Sequence, residues 1–361
     1  WIFLLNYGWV KTEISEIKQE ISQKKASIIV AIRNEEENLP KLLSSLSHQD
    51  YPYEQFEIII IDDHSDDGSE EIIKKFQKDH LSLQLYYYSL ANYSEIQGKK
   101  SALQLGYKKA NHSIILLTDG DCHIGANWIK LTLQAFEDPK VKMVLGGVKT
   151  VRPKNLVQKF QSLELLSLIA SGAGSVGINL PIMSNGANLS FKKEILNKIE
   201  ISQLKPELAS GDDIFLMMET KKAFGADTIR FLKNPDHFVT TQAEKSWKGL
   251  INQRIRWVSK SSGYADYFLL LTSLVVLFQN LILLVLLIAS CFYPPLGFTL
   301  LKIWVLKFVV DFIFLRKICA FTSRTKLLRY YPLLALIYPF FISYTAIVGQ
   351  FAGFSWKGRK Y

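Results

Sequence analysis

The chain has 361 residues, 48% of them apolar, and a net charge of +10. That length exceeds one small domain and leaves room for a full core plus an appended region. The basic excess forms no stripe interleaved with aromatics, which argues against nucleic-acid binding. It gathers instead beside apolar segments, at Arg316, Lys317, Arg324, Lys326 and Arg329 and again at Lys357, Arg359 and Lys360. Such placement favours the cytoplasmic face of a membrane and contact with anionic lipid.

The chain opens on WIFLLNYGWV rather than on Met, and residues 1–10 read as the end of a longer, membrane-crossing apolar segment. Residues 11–25 are polar and helix-prone, a connector. ASIIVAI (26–32) is a short run rich in β-branched residues, suited to a strand buried on both faces. Asn38 is placed to cap a helix with Pro40 in its first turn and KLLSSLS as its apolar face. FEIIIID (56–62) repeats the strand pattern before an acidic turn and the helical EEIIKKFQK. A weaker strand, LQLYYYS, precedes GKKSALQLGYKKA, an amphipathic helix. SIILLTD (113–119) and KMVLGGVK (142–149) supply two more buried strands. Strands alternating with helices predict an α/β fold with a mostly parallel sheet, which binds ligands at the carboxyl ends of its strands. The three cysteines, Cys122, Cys291 and Cys319, are too far apart for a metal motif or a disulfide framework.

Near residue 262 the composition changes, and three apolar segments follow, near 268–292, 297–315 and 331–352. The first carries no charge between Phe268 and Tyr293 and is long enough to span a bilayer. The second holds Lys302, Lys307 and Asp311, so it either spans while packed on neighbours or lies in the interface. The third contains Pro332 and Pro339 and reads as a kinked span. If all three cross, the basic KGRKY end is carried away from a cytoplasmic catalytic domain, against the preference of basic segments. At least one segment is therefore expected in the interface.

The acidic motifs fall at the ends of predicted strands. Asp119 and Asp121 stand at i and i+2 and project to one side, where they can grip a hard divalent cation that bridges a diphosphate. A solvated turn is the plain alternative. In DDHSDDGS, Asp62 or Asp63 is the candidate for a base or ribose contact, while Asp66 and Asp67 suit the start of the next helix. Gly211-Asp212-Asp213 precedes IFLMMETKKAFG. A carboxylate there is either a cap or the base that an inverting transfer needs beside an acceptor hydroxyl. In Gln253-Arg254-Ile255-Arg256-Trp257, arginine offers fixed donors for a diphosphate and tryptophan a flat face for a sugar or lipid. A membrane anchor of basic and aromatic residues would read the same way. Lys99 and Lys100 after Gly98 are further phosphate candidates.

Over residues 26–260 these motifs, in this order, resemble the membrane-integrated branch of the family 2 nucleotide-sugar glycosyltransferases of GT-A fold. The resemblance lies in Arg33-Asn34-Glu35 after the first strand, DDHSDDGS, DGD, GDD and QRIRW. It implies a Rossmann-like GT-A catalytic domain followed by a transmembrane helical region at 261–361. It implies that Glu35, Asp63, Lys99, Asp119, Gln253 and Arg256 bind the nucleotide sugar, a UDP-sugar by the family's habit. Asp121 would ligate Mg²⁺ or Mn²⁺, and Asp213 would be the general base. Trp257, Asp212 and Gly186 would face the acceptor, with SNGANLSFKK (184–193) as the acceptor-side loop and following strand. The expected protein is an integral membrane enzyme, catalytic on the cytoplasmic side of a bacterial inner membrane.

The pattern departs from the family in places. The first strand reads VAIRNE without the usual proline, the acceptor-side loop lacks a cysteine, and no long gating segment follows QRIRW. These departures weigh against a processive polymer channel. The ending FSWKGRKY is similar to that of some lipid glycosyltransferases, which points to a lipid acceptor. A synthase of a β-linked polysaccharide and a non-catalytic nucleotide-binding membrane subunit are the alternatives. An oxidoreductase is disfavoured because no GxGxxG turn follows the first strand.

Overall fold

Runs of β-branched and aliphatic residues become strands, and the amphipathic stretches between them become helices. The computed structural model describes residues 1–93, 98–199, 211–351 and 353, with the backbone alone at 355–356 and 359–360 and no side chain at 262. The terminal FSWKGRKY motif thus lies largely outside the described residues. In chain order the elements are α1 (Ile2–Lys11), β1 (Ala26–Ile32), α2 (Leu39–Ser47), β2 (Phe56–Asp62), α3 (Ser69–Asp79), β3 (Leu85–Ser89), α4 (Lys99–Lys109) and β4 (Ile114–Asp119). Next come α5 (Trp128–Ala135), β5 (Met143–Gly146), β6 (Val148–Thr150), α6 (Leu156–Gly177), β7 (Leu189–Lys192), α7 (Glu194–Lys198), α8 (Asp212–Phe224), β8 (Ile229–Leu232) and β9 (Val239–Thr241). The remaining helices are α9 (Trp247–Val258), α10 (Tyr267–Phe292), α11 (Pro295–Phe321) and α12 (Tyr331–Val348).

The chain forms two compact units. One holds Lys11–Val151 and Val176–Gln242; the other holds Trp1–Val10, Arg152–Ser175 and Ala243–Tyr361. The continuous stretch 26–260 read from sequence as one domain is therefore shared between both units.

The first unit is built on a seven-stranded sheet in the order β3-β2-β1-β4-β7-β5-β8. β1 runs parallel to β2 and β4, β2 to β3, and β5 to β8, whereas β7 is antiparallel to β4 and β5. Ile28, Ile29 and Val30 and the run Ile58–Ile61 are fully buried, each side chain gaining roughly 1.5–3 kcal/mol over exposure. The register aligns Ile32 with Asp62 and Ala31 with Asp119, so β1, β2 and β4 end level. β1 has β2 on one side and β4 on the other, which makes its carboxyl end the switch point of strand order. Because β7 runs the other way, the turn at Gly186–Asn188 that enters it lies at this same edge.

Two details differ from the sequence reading. KMVLGGVK divides at Gly147, whose missing side chain leaves room for the Phe238 ring. Beyond that break, β6 pairs with β9 in a separate two-stranded sheet. Asn38 does stand at the N-cap of α2, but its side chain makes no capping bond and donates instead to Glu35 Oε2 at 2.7 Å.

The second unit is helical. Ser246 caps α9, accepting from the Gly249 amide. α10 has no charged residue, and its buried Asn280 turns its amide onto the Val276 carbonyl at 2.7 Å. α11 pairs Lys307 with Asp311 one turn on. By length and composition Tyr267–Phe292 and Thr325–Val348 are apolar enough to cross a membrane.

Candidate active site

The loops leaving β1 and β2 are tied together. Asn34 and His64, one at each exit, adopt left-handed φ values of 52° and 60°, which asparagine and histidine tolerate better than most residues. The Arg33 guanidinium donates to the Asp63 and His64 carbonyls at 2.8 and 2.9 Å. Asp62 is occupied by structure: it accepts from the Ser65 amide and hydroxyl and from the Tyr87 phenol at 2.9 Å. Burial and the Asp62 charge hold that phenol protonated. Asp67 accepts from the Ser69 and Glu36 amides, both at 3.1 Å, serving the start of α3. Asp63 behaves differently. It is buried, and its carboxylate accepts from the Gly98 amide at 3.0 Å, linking the β2 exit to the start of α4. Gly98 has a φ of 118°, a conformation that glycine adopts without strain.

Next to Gly98, the Lys99 ammonium pairs with Asp119 at the end of β4. The two side chains are 31% and 33% exposed; a pair this open adds little stability and can yield to a ligand. Lys99 also lies near Gly186, since a Cβ built on that glycine would be 3.7 Å from the ammonium and 4.0 Å from Asp213 Oδ2. The Gly186 amide donates to the same Asp213 oxygen at 3.0 Å. Glu35 reaches this edge from β1: a Cβ on Gly120 would be 2.9 Å from its Cγ. The sheet unit thus gathers Glu35, Asp63, Lys99, Asp119, Gly186 and Asp213 from six separate stretches of chain.

Asp121 accepts from the Thr241 hydroxyl at 2.9 Å. Its neighbour Cys122 is buried, and burial, followed by the charges of Asp121 and Asp119, raises the thiol well above its usual range, so it is no nucleophile. Among the described residues no three His, Cys, Asp or Glu side chains come together to hold a metal. The two carboxylates of the DGD turn are hard oxygen donors. They fit an ion of the Mg²⁺ type, which commonly takes one or two protein carboxylates and completes its shell with phosphate and water.

Asp212 and Asp213 open α8, and their surroundings differ. Asp212 is paired with Lys100 at 3.2 Å. Burial raises its pKa, with Lys100 opposing the shift and Asp213 adding to it. Tyr107 is held protonated by burial and then by the charges of Asp212 and Asp213. Asp213, in the first turn of α8, turns its Oδ1 back to the Ile214 amide at 2.9 Å and accepts from Gly186 with its other oxygen, while the N-cap is Gly211 and no side chain caps the helix.

Gln253, Arg256 and Trp257 belong to α9 in the helical unit. Gln253 takes a hydrogen bond from Gln161 at 3.2 Å and donates to Glu244 at 3.4 Å. Arg254 is structural. It is buried, donates through Nε to both Glu164 oxygens at 2.8 and 3.0 Å, and lies 4.1 Å from the Trp257 ring centroid.

Several supporting residues had no sequence signal. Asn188 is buried and bonds the Trp128 indole and the carbonyls of Gly147 and His237 at 2.9–3.0 Å, which fixes the turn carrying Gly186. Thr241 reaches Asp121 from 120 residues away. The Arg254–Glu164 pair was hidden because two arginines two positions apart look alike in a sequence, although α-helical spacing turns them to different faces.

The chain matches Glycosyl transferase family 2 over residues 27–199 and Glycosyl transferase family group 2 over residues 114–346, well over half its length. It is 24% identical over 190 residues to Glycosyltransferase AglE of Haloferax volcanii, covering 52% of this chain and 58% of that one. It is 29% identical over 186 residues to poly-beta-1,6-N-acetyl-D-glucosamine synthase of Staphylococcus epidermidis, covering 51% and 43%. The chain therefore spans about half the length of these relatives. In fold it is similar to the mannosyltransferase PcManGT from Pyrobaculum calidifontis, solved with GDP-Man and Mn²⁺, at a TM-score of 0.56 and 17% identity over 97% of this chain and 96% of that one. A mostly parallel sheet with acids at its strand ends and a family match across both units lead to one assignment: the chain belongs to glycosyl transferase family group 2 and has the GT-A fold.

Proposed function

We propose that this glycosyltransferase inverts configuration as it moves a sugar from a nucleoside diphosphate, a UDP-sugar, to a lipid or lipid-linked acceptor at the cytoplasmic face of a membrane. The observation that carries this reading is the meeting of Asp213 with the DGD edge through Gly186 and Lys99. A base and a phosphate-binding edge then lie within one sugar's reach of each other. Glu35 and Asp63 take the nucleoside, Asp119 the nucleotide and Lys99 the diphosphate. Asp213 receives the proton of the acceptor hydroxyl as its oxygen forms a bond to the anomeric carbon. The bond from that carbon to the diphosphate breaks on the opposite face, and its electron pair leaves with the nucleoside diphosphate. Asp121, with Asp119 beside it, would hold Mg²⁺ or Mn²⁺, which when bound offsets charge on the leaving diphosphate. Asp212 and Gly186 face the acceptor. Gln253 and Arg256 are assigned to the diphosphate and Trp257 to the acceptor on the family resemblance alone.

Two apolar helices of spanning length and the basic clusters beside them support the membrane location. A processive synthase of a β-linked polysaccharide is the second reading, favoured by the 29% identity to poly-beta-1,6-N-acetyl-D-glucosamine synthase. Membranes bearing the chain, supplied with labelled UDP- and GDP-sugars and Mg²⁺ or Mn²⁺, distinguish the two. A single labelled lipid with an inverted anomeric linkage supports the lipid reading, and a ladder of oligomers overturns it in favour of the synthase.

A further inference from the structure

Three successive residues at the start of α4 reach three different parts of the open edge. The Gly98 amide donates to Asp63 beyond the end of β2. The Lys99 ammonium pairs with Asp119 at the end of β4. The Lys100 ammonium turns elsewhere, because successive residues on a helix point about 100° apart. It lies 3.2 Å from Asp212 Oδ1, in the first turn of α8. The two lysines also differ in surroundings. Lys99 and Asp119 are 31% and 33% exposed, whereas Lys100 and Asp212 are 15% and 17% exposed. The outer pair can open to a ligand, while breaking the inner one strands a carboxylate that is largely out of water.

The turn that Lys100 meets is the one that carries Asp213. No side chain caps it, and its N-cap, Gly211, is left-handed with a φ of 102°. The turn is tied from outside, by Lys100 to Asp212 and by the Gly186 amide to Asp213 Oδ2 at 3.0 Å. Burial draws a proton towards Asp212; Lys100 opposes this, Asp213 adds to it and Lys99 opposes it. Tyr107, also on α4, is held protonated by burial and then by the charges of Asp212 and Asp213. An Asp212 that took up a proton would become an O–H donor beside the base. It could then occupy the lone pair that the acceptor's proton needs. Kept ionised, Asp212 only accepts hydrogen bonds.

Resting on the reading of Asp213 as the base, we infer that Lys100 is a positioning residue: through Asp212 it pins the first turn of α8, so that Asp213 is held ready for the acceptor hydroxyl. Lys99 serves the diphosphate and Lys100 serves the base, two adjacent lysines with separate tasks. The kinetic consequence is a split. Loss of a diphosphate ligand weakens donor binding, whereas a base displaced by about 1 Å slows transfer while the donor still binds.

The test uses the full chain in membranes and, for transfer, the labelled nucleotide sugar that the parent chain uses on native membrane lipids. The matching nucleoside diphosphate, UDP or GDP, is the binding probe. Lys100→Met should bind it within about two-fold of the parent while kcat falls about 10–100-fold. Lys100→Arg keeps the charge and should recover most of kcat. Lys100→Met with Asp212→Asn leaves no buried carboxylate without a cation, and at saturating acceptor it should also recover kcat. A raised donor KM with unchanged kcat in Lys100→Met makes Lys100 a phosphate ligand and overturns the inference, as does a parent-like rate. A folded double variant as slow as Lys100→Met shows that Lys100 does not act through Asp212 and overturns it too. Should Lys100→Met not fold, Lys100→Gln, which also removes the charge, is read in the same way. Asp213→Asn run alongside separates the two claims. Transfer at the parent rate by that variant sinks the base reading and the positioning role with it. A slow Asp213→Asn beside a parent-like Lys100→Met sinks the positioning role alone.

Discussion

The two units of this chain use the same residue types to opposite ends. In the sheet unit, charged side chains from distant segments meet at one edge and stay partly open, as Lys99 and Asp119 do at about one third exposure. In the helical unit, Arg254 and Glu164 are each 5% exposed and spend their charges on one another. An open pair can be exchanged for a ligand; a closed pair fixes helices in place.

The largest effect on stability is expected from breaking the closed pair. Arg254→Met leaves Glu164 buried without its partner, at a cost of about 3–5 kcal/mol, whereas Arg254→Met with Glu164→Leu recovers most of it. Thermal unfolding in detergent measures both, and an unaffected single variant would show that the pair is not a structural one. On the open edge, Gly120→Ala puts a Cβ 2.9 Å from Glu35 Cγ and 3.0 Å from Ile32 Cγ2. Overpacking of that kind costs about 1–3 kcal/mol, and displaced Glu35 should weaken nucleotide binding in a titration.

The sheet unit should also be the acid-sensitive one. His237 is buried beside Thr132, and burial lowers its pKa from 6.5 to about 3. Below pH 6.5 the unfolded chain binds a proton that the folded chain refuses, so stability is full above that pH and falls as the pH drops towards about 3. The slope from this residue is up to about 1.4 kcal/mol per pH unit. His237→Gln should flatten a plot of unfolding midpoint against pH. The smallest effect belongs to Gly186→Ala, whose Cβ meets Lys99 and Asp213 at 3.7–4.0 Å, ordinary contact. Its melting temperature should match the parent chain while the acceptor KM rises a few-fold.

The parts of the fold written in local pattern were legible in the sequence. β1 and β2 begin and end where their apolar runs do, because a fully buried strand needs an unbroken run. The strand-end position of Asp63 and Asp119 follows from that alone. β7 was harder, since it is only four residues long, Leu189–Lys192, and its antiparallel direction is set by partners far away in the chain. The split at Gly147 depends on Phe238, and the anchoring of Asp121 on Thr241, neither of which a local pattern can reveal. Gly211-Asp212-Asp213 left cap and base unresolved for a physical reason: Asp213 starts a helix and faces Gly186 with different oxygens of one carboxylate.

Asp213 therefore offers the sharpest test of the open edge. Asp213→Asn keeps the size of the side chain and one of its two backbone hydrogen bonds but cannot accept the acceptor's proton. Donor binding by calorimetry and single-turnover transfer of labelled sugar should be measured on the same preparation. Donor affinity close to that of the parent chain, with transfer slowed by about 10²–10⁴-fold, is the outcome a general base at this position requires. Transfer at the parent rate by a folded, donor-binding Asp213→Asn chain would contradict it.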